Sequence, residues 1–366
     1  MDAVILVGGI GTRLRPWTET LPKPLIPIAN IPLIDHLIAR LRPAVSRVIL
    51  AVGYRSPQLQ AHARILGQSL EVVVVEEEQL LGTGGAVKNV EAHLDPAGPF
   101  LVCNGDIINS LDIPSMIAAH QRHGGWGTLA LWEVADPSRF GVVALVGQRI
   151  TRFVEKPPAG SAPSNLISAG TYVLEPQVLD LLQPGVVASI EREVFPQLVE
   201  RGLFGHRFDG FWEDAGTLPS MLRAQRLILE DPAVSLPAHA GPILAVDVHL
   251  HPGAVITPPV TIDPSAILEA GASVGPNAAI GPGCRIGGGC TVRDSILGRG
   301  VRIAAGALVE GSMLADGATV GRGASLRESI IGELTKVPPK ERWEGARQWD
   351  GFTSSGSMVG LGPAQG

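Results

Sequence analysis

An α/β unit built on a mostly parallel sheet, followed by a body made of short repeats, is the fold class that these 366 residues predict. Three observations carry it. From Ala3 to about Glu230, nearly continuous apolar runs alternate with helix-type stretches, as in "AVILVG", "PLIDHLIARL", "RVILAVG", "QLQAHARILG" and "EVVVVEE". Strands that are apolar on both sides need cover on both faces, which crossover helices supply. Past Pro252 the pattern changes to aliphatic residues spaced by six. Between the first apolar run and the first helix lies a loop rich in glycine and basic residues, at the carboxyl end of a strand, where open α/β sheets hold ligands.

That loop, "LVGGIGTRLRPWTETLPKPL" from Leu6 to Leu25, sets three glycines beside Arg13, Arg15 and Lys23. Without Cβ atoms, backbone N–H groups can crowd around an anion, so the loop reads as a phosphate site. It is not a dinucleotide fingerprint, because Leu14 stands where G-x-G-x-x-G needs its third glycine, and no G-K-[ST] triplet makes a P-loop. The chain keeps only five lysines against twenty-four arginines, and two of them lie in "LPKPL" (Lys23) and "FVEKP" (Lys156). Lysine is a compact point charge suited to a phosphate whose oxygens move during reaction. Asp106 closes "FLVCNGD" and Asp214 closes "GFWED". A hard cation such as Mg²⁺ takes one or two such carboxylates and completes its shell with phosphate and water oxygens.

In the second half, Ile256, Ile262, Leu268, Val274, Ile280, Ile286 and Val292 follow at steps of six, and after a slip the series resumes at Leu308, Leu314, Val320 and Leu326. Two positions earlier stands, in all cases but that of Ile262, a small residue: Ala254, Ala266, Ala272, Ala278, Cys284, Cys290, then Gly306, Ser312, Ala318 and Ala324. The repeat resembles the left-handed parallel β-helix of hexapeptide-repeat proteins, with aliphatics inward and small residues at the corners. The expected organisation is a first domain over 1–230, a Pro/Ala-rich linker over 231–252, the β-helix over 253–332 and a tail over 333–366 with a mobile end.

"ILVGGIGTRLRPWTETLPKPL", "EEEQLLGTGGAV", "NGD", "RFGVV", "RFVEKP", "SAGTYVLEP", "SIEREVFPQL" and "GFWEDAGT", in this order, resemble the sugar-phosphate nucleotidyltransferases. The resemblance implies a Rossmann-like nucleotidyltransferase domain that joins a nucleoside triphosphate to a sugar 1-phosphate and releases pyrophosphate. Leu6, Gly8, Gly9, Gly11 and Thr12 are then expected around the nucleotide, with Gly82, Thr83 and Gly84 letting the base approach the backbone. Arg13 and Lys23 neutralise the departing pyrophosphate, and Asp106 with Asp214 hold Mg²⁺. Lys156 grips the sugar phosphate, while Glu155, Gly141 and Asn165 meet the sugar. The likeness favours GTP with mannose 1-phosphate. Gln79 and Leu80 depart from the guanylyl pattern, so a thymidylyl- or uridylyltransferase acting on glucose 1-phosphate stays open, as does a non-catalytic regulatory subunit.

A net charge of -6 argues against nucleic acid as a partner. No apolar run reaches the roughly 18 residues of a membrane span, and the opening lacks a basic leader, so a cytoplasmic protein is expected. Cys103, Cys284 and Cys290 show no paired spacing and read as small buried residues. No histidine follows His251, which disfavours the acyl transfer that hexapeptide β-helices often carry. The repeat body is therefore expected to serve homo-oligomer assembly, with its removal sparing the chemistry.

Overall fold

A computed structural model describes residues 1–53, 57–231 and 249–350. The chain forms two compact units: Met1–Gly9 with Ile34–Trp212, and Ile10–Leu33 with Glu213–Gly366. The expected linker falls almost wholly outside the described residues, as does the end of the expected tail.

The first unit is built on one nine-stranded sheet. From edge to edge its strands are Glu71–Glu76, Arg47–Val52, Asp2–Leu6, Phe100–Asn104, Leu166–Leu174, Gly127–Glu133, Leu203–Arg207, Arg149–Glu155 and Gly141–Val146. The first four are mutually parallel, matching the apolar runs and intervening helices. Beyond Asn104 the sheet is mixed: Leu166–Leu174 runs antiparallel to both neighbours, and Gly141–Val146 and Arg149–Glu155 make a hairpin. Short connections such as "VGQ" leave no room for a crossover helix, so antiparallel pairing results. Asp2–Leu6 is buried along nearly its whole length, as a central strand with two covered faces must be. Tyr172, Phe195 and Phe153 stack edge to face across the core, with centroids 4.9 and 5.2 Å apart.

In the second unit, three six-stranded parallel sheets stack as the sides of a β-helix. Partners in successive coils lie 18 residues apart at first, as Ile262 with Ile280, and 17 apart later, as Ile286 with Ile303. The slip in the six-residue series is this change of period. One side of each later coil is a residue short, so inward aliphatics run Val292, Leu297, Ile303 and Val309. Leu308, expected inside, is therefore only half-buried, and Val309 takes the core position; likewise Ala307, not Gly306, is the buried small residue of that coil. The strands also continue past 332, through Lys336–Val337, Arg342–Glu344 and Arg347–Gln348, so the β-helix extends into what read as tail. Trp343 and Gln348 fill positions where earlier coils have aliphatics, which hid the period.

The short side has its own chemistry. Ser312 N–H donates to Ser295 Oγ (3.2 Å), Ser329 N–H to Ser312 Oγ (3.1 Å) and Ala346 N–H to Ser329 Oγ (3.0 Å). Each serine hydroxyl in turn donates to the carbonyl two residues back. The serine column thus satisfies buried amides that a tightened corner leaves without a backbone acceptor.

The outward residues of that same side, Thr261, Ala279, Ile296, Met313 and Ile330, are at most 1 % exposed. The helix Leu218–Glu230, started by a Thr217–Ser220 capping box, is held there. Gln225 Nε2 donates to Asn277 O (2.9 Å) and Ser295 O (3.2 Å), Arg226 pairs with Asp294, and Asn277 Nδ2 donates to Leu222 O. Asn30 Nδ2 reaches Ile280 O (2.9 Å) from the loop segment of the same unit.

Replacing Ser312 by alanine leaves the buried Ser329 amide without its acceptor and is expected to cost roughly 1–3 kcal/mol in chemical denaturation. Ser325→Ala, on an open side, should stay within about 0.5 kcal/mol of the parent.

Candidate active site

Residues of the first unit form two linked groups. Gly8 follows the Asp2–Leu6 strand, and a Cβ on it would lie 3.3 Å from Gly53 Cα, so the two strand-end turns pass with their backbones touching. Gly9 faces open space. Leu6 O accepts from Gly105 N (3.0 Å), which fixes the turn carrying the half-buried Asp106 against the first strand.

The Gly82–Gly84 segment opens a helix, and its glycines pack against another stretch of the chain. Gly82 has φ +71°, and a Cβ there would lie 2.6 Å from Ala188 O; one on Gly84 would lie 3.1 Å from Ile190 N. The space on the side-chain face of these glycines is filled by the 188–190 backbone. Thr83 is the latch: its hydroxyl donates to Glu191 Oε2 (2.6 Å) and accepts from Ile190 N (3.0 Å).

Glu191 has a second donor in Ser189 Oγ (2.8 Å) and opens the π-helical turn Ile190–Val194. Its negative charge is felt by Glu155. A Cβ on Gly141 would lie 3.0 Å from Glu155 Oε2 and 2.5 Å from Phe153 Cζ, so only glycine lets the carboxylate sit over that backbone. Burial first, and then the charge of Glu191, hold the Glu155 carboxyl above its ordinary range. Burial followed by the same charge pushes the Tyr172 phenol well up. Lys156 Nζ lies 3.5 Å from Glu155 Oε1 and remains 58 % exposed. Its backbone has φ +48°, a conformation unusual for lysine that its N–H bond to Phe140 O maintains (2.9 Å). Gly141, Glu155 and Lys156 therefore lie together. Asn165 does not join them in any hydrogen bond of its side chain among the described residues; it is exposed, and its carbonyl accepts from Val134 N. Glu191 and Tyr172 carried no role in the sequence reading, although "SIEREVFPQL" and "SAGTYVLEP" contain them; only folding puts them beside Glu155.

The second unit holds the rest of the basic loop. Gly11 is left-handed (φ +68°), and a Cβ on it would lie 2.9 Å from Thr18 Cγ2 and 3.2 Å from Lys23 Cβ. Thr18 Oγ1 donates to Gly11 O (2.9 Å), and buried Leu14 and Trp17 anchor the short 3₁₀ turns that follow Thr12. Lys23 is buried (6 %), Arg13 exposed. Arg13 and Asp214 both border Gly216, whose absent Cβ would lie 2.5 Å from Arg13 Nη2 and 3.0 Å from Asp214 Oδ1. A bidentate Arg223–Glu213 pair steadies the residue before Asp214. Among the described residues no group of three or more His, Cys, Asp or Glu is placed to hold a metal ion. A single carboxylate such as Asp214 suits a hard cation that brings phosphate and water oxygens rather than a fully protein-caged one. No helix among the described residues is long and apolar enough to cross a membrane.

An α/β sheet with a glycine and arginine loop behind its first strand, and a Glu-Lys pair behind a later one, defines a nucleotidyltransferase. The chain belongs to the nucleotidyl transferase family, whose model matches residues 2–231; a "GMPPB C-terminal domain" model matches residues 256–345. It is 39% identical to the mannose-1-phosphate guanylyltransferase catalytic subunit beta of Danio rerio, over 70% of this chain and 73% of that one. To the mannose-1-phosphate guanylyltransferase of Mycobacterium tuberculosis it is 36% identical, over 70% and 72% of the two chains. A solved Bacillus anthracis structure, described as a putative glucose-1-phosphate thymidylyltransferase with sucrose, aligns with TM-score 0.57 at 26% identity, covering 62% of this chain and 94% of that one.

Two variants test this geometry. A methyl at Gly216 collides with Arg13 and Asp214, and Gly216→Ala is expected to lower kcat about a hundredfold with little change in unfolding free energy. For Glu155 the raised carboxyl pKa means that the folded state binds its proton more tightly than the unfolded one. Its contribution therefore turns unfavourable as pH rises from the ordinary carboxylate value through the raised one. Glu155→Gln should match the parent in stability at about pH 4 and exceed it at about pH 7, while losing turnover. Equal pH dependence in the two proteins would refute the assignment.

Proposed function

We propose that the protein transfers GMP from GTP to mannose 1-phosphate, forming GDP-mannose and pyrophosphate. The observation that carries this reading is the Glu155–Lys156 pair over Gly141: an acceptor for sugar hydroxyls next to a cation for the phosphate, on adjacent residues. The guanylyltransferase relatives support the choice of base and sugar.

The sugar phosphate is already an anion at neutral pH, so no general base has to create the nucleophile. One of its oxygens attacks the α phosphorus of GTP; the bond from that phosphorus to the α–β bridging oxygen breaks, and pyrophosphate leaves. The work is to align two anions and offset their repulsion. Lys156 binds the sugar phosphate, and Glu155 orients a sugar hydroxyl. Backbone amides of Gly8 to Thr12 bind phosphate oxygens, and Arg13 and Lys23 compensate the charge gathering on pyrophosphate. Asp106 and Asp214 would hold Mg²⁺, which supplies charge neutralisation at phosphate oxygens.

The β-helix takes a wider role than assembly. It provides the backbone acceptors for Asn30 and Gln225, in segments of the unit that also carries Arg13, Lys23 and Asp214. Deleting residues 253–366 is therefore expected to abolish turnover as well as to reduce the subunit count, read by pyrophosphate release and light scattering. A truncated protein with full turnover would show that the loop does not need this support.

Substrate choice is tested by measuring pyrophosphate release with Mg²⁺, each of the four nucleoside triphosphates, and mannose, glucose or N-acetylglucosamine 1-phosphate. GTP with mannose 1-phosphate is expected to be fastest. The thymidylyltransferase likeness and Gln79 favour the second reading, which a preference for dTTP or UTP with glucose 1-phosphate would establish.

A further inference from the structure

Asp106 lies in a turn that the chain fixes on both sides. Before it, Gly105 N donates to Leu6 O (3.0 Å), and a Cβ on Gly105 would lie 2.6 Å from Val7 Cγ1, so the turn is pressed against the end of the first strand. After it, the short strand Ile107–Asn109 is buried at all three positions. That strand ends at Ser110, four residues beyond Asp106, to which the sequence assigned no role.

Ser110 closes on the segment Asp209–Phe211, which ends three residues before Asp214. Ser110 N donates to Phe211 O (3.0 Å), and Phe211 N donates to Ser110 Oγ (2.8 Å). The hydroxyl itself donates to Asp209 O (2.8 Å), with Phe211 O a second acceptor at 3.3 Å. It is thus donor and acceptor at once, toward two different peptide groups. Gly210, between them, has φ +106°, and a Cβ there would collide with Ser110 Oγ and lie 2.9 Å from Ser110 Cβ. The segment wraps the serine only because residue 210 has no side chain. Arg40 Cζ stands 5.4 Å from the centroid of the Phe211 ring and adds a further hold.

We propose that Ser110 is a positioning residue for Mg²⁺: its hydroxyl locks the chain leaving Asp106 to the chain leading to Asp214, and so fixes the backbone from which each carboxylate extends. This rests on the reading of the two aspartates as Mg²⁺ ligands. Mg²⁺ demands near-ideal octahedral geometry at about 2.0–2.1 Å, so a carboxylate whose backbone drifts binds it less well. A serine hydroxyl facing only water would have no such effect. Here both of its hydrogen-bonding roles are used to tie two backbones, and it acts on the metal only through them.

Calorimetric binding of α,β-methylene-GTP, which cannot release pyrophosphate, tests the assignment with saturating Mg²⁺ and in EDTA, for the parent, Ser110→Ala and Gly210→Ala. In the parent, Mg²⁺ is expected to tighten binding roughly tenfold or more. Most of that gain should vanish in both variants, while their affinity in EDTA stays within about twofold of the parent's. The free Mg²⁺ that gives half-maximal pyrophosphate release from GTP and mannose 1-phosphate should rise about tenfold, the effect of one lost hydrogen bond, with the parent's rate approached at high Mg²⁺. Partial unfolding lowers the number of binding sites and the maximal rate, but moves neither the Mg²⁺-to-EDTA affinity ratio nor the half-maximal concentration. Variants that keep the parent's ratio and Mg²⁺ requirement overturn the role of Ser110 and leave the metal reading intact. A parent that binds the nucleotide equally with Mg²⁺ and in EDTA overturns the metal reading itself, and the proposal with it.

Discussion

A fully buried glutamine, Gln225, donates from one amide nitrogen to the carbonyls of Asn277 and Ser295, and much of the second unit depends on that bond pair. The two carbonyls belong to successive coils at the place where the repeat shortens. A regular β-helix side spends its backbone groups within its own ladders; here Ser312 N–H turns to the Ser295 hydroxyl, the Ser295 carbonyl is left for the helix, and the Asn277 carbonyl is shared between Ser295 N–H and Gln225. The helix that reaches them starts just beyond Asp214 and Gly216, so the docking of a helix on a repeat corner bears on the position of a carboxylate and an arginine.

Charge balance in the first unit follows another constraint. The charge of Glu191 adds to the cost of ionising the buried Glu155, Lys156 offsets part of it, and Thr83 and Ser189 donate to Glu191. Such an arrangement has acceptors in excess of donors, which suits a ligand rich in hydroxyls. The exposed Lys156 beside it suits a phosphate. A neutral polyol with an anionic end is what a sugar phosphate is, and the two features sit on consecutive residues because a strand end in left-handed conformation turns their side chains to a common neighbourhood.

Much of the architecture was legible in the residues. Alternating apolar runs and helices foretold the parallel half of the sheet, and inward aliphatics foretold the β-helix, because burial repeats with the geometry of each element. The mixed half of the sheet was not legible, since an apolar run does not say which direction its neighbour runs. At Leu308 the six-residue spacing is off by one residue, while Leu314, Val320 and Leu326 fall inside as expected, because the five-residue side between Val309 and Leu314 restores the phase. Gly141, Glu155, Lys156, Arg13 and Asp214 could be named from short motifs. Glu191 and Tyr172 could not, since nothing local in "IEREV" or "GTYV" signals that both lie near Glu155.

The sequence by itself determined the class of chemistry: where glycine, lysine, arginine and aspartate must stand for phosphate to bind is a matter of residue type next to strand ends. Only the tertiary structure decided which space each glycine opens and to whom. At Gly216 it is occupied by Arg13 and Asp214, at Gly141 by Glu155, and at Gly82 by the backbone of Ala188. A missing Cβ is written in the sequence, but what fills its place is set by segments that can lie far along the chain, through packing that has no local code.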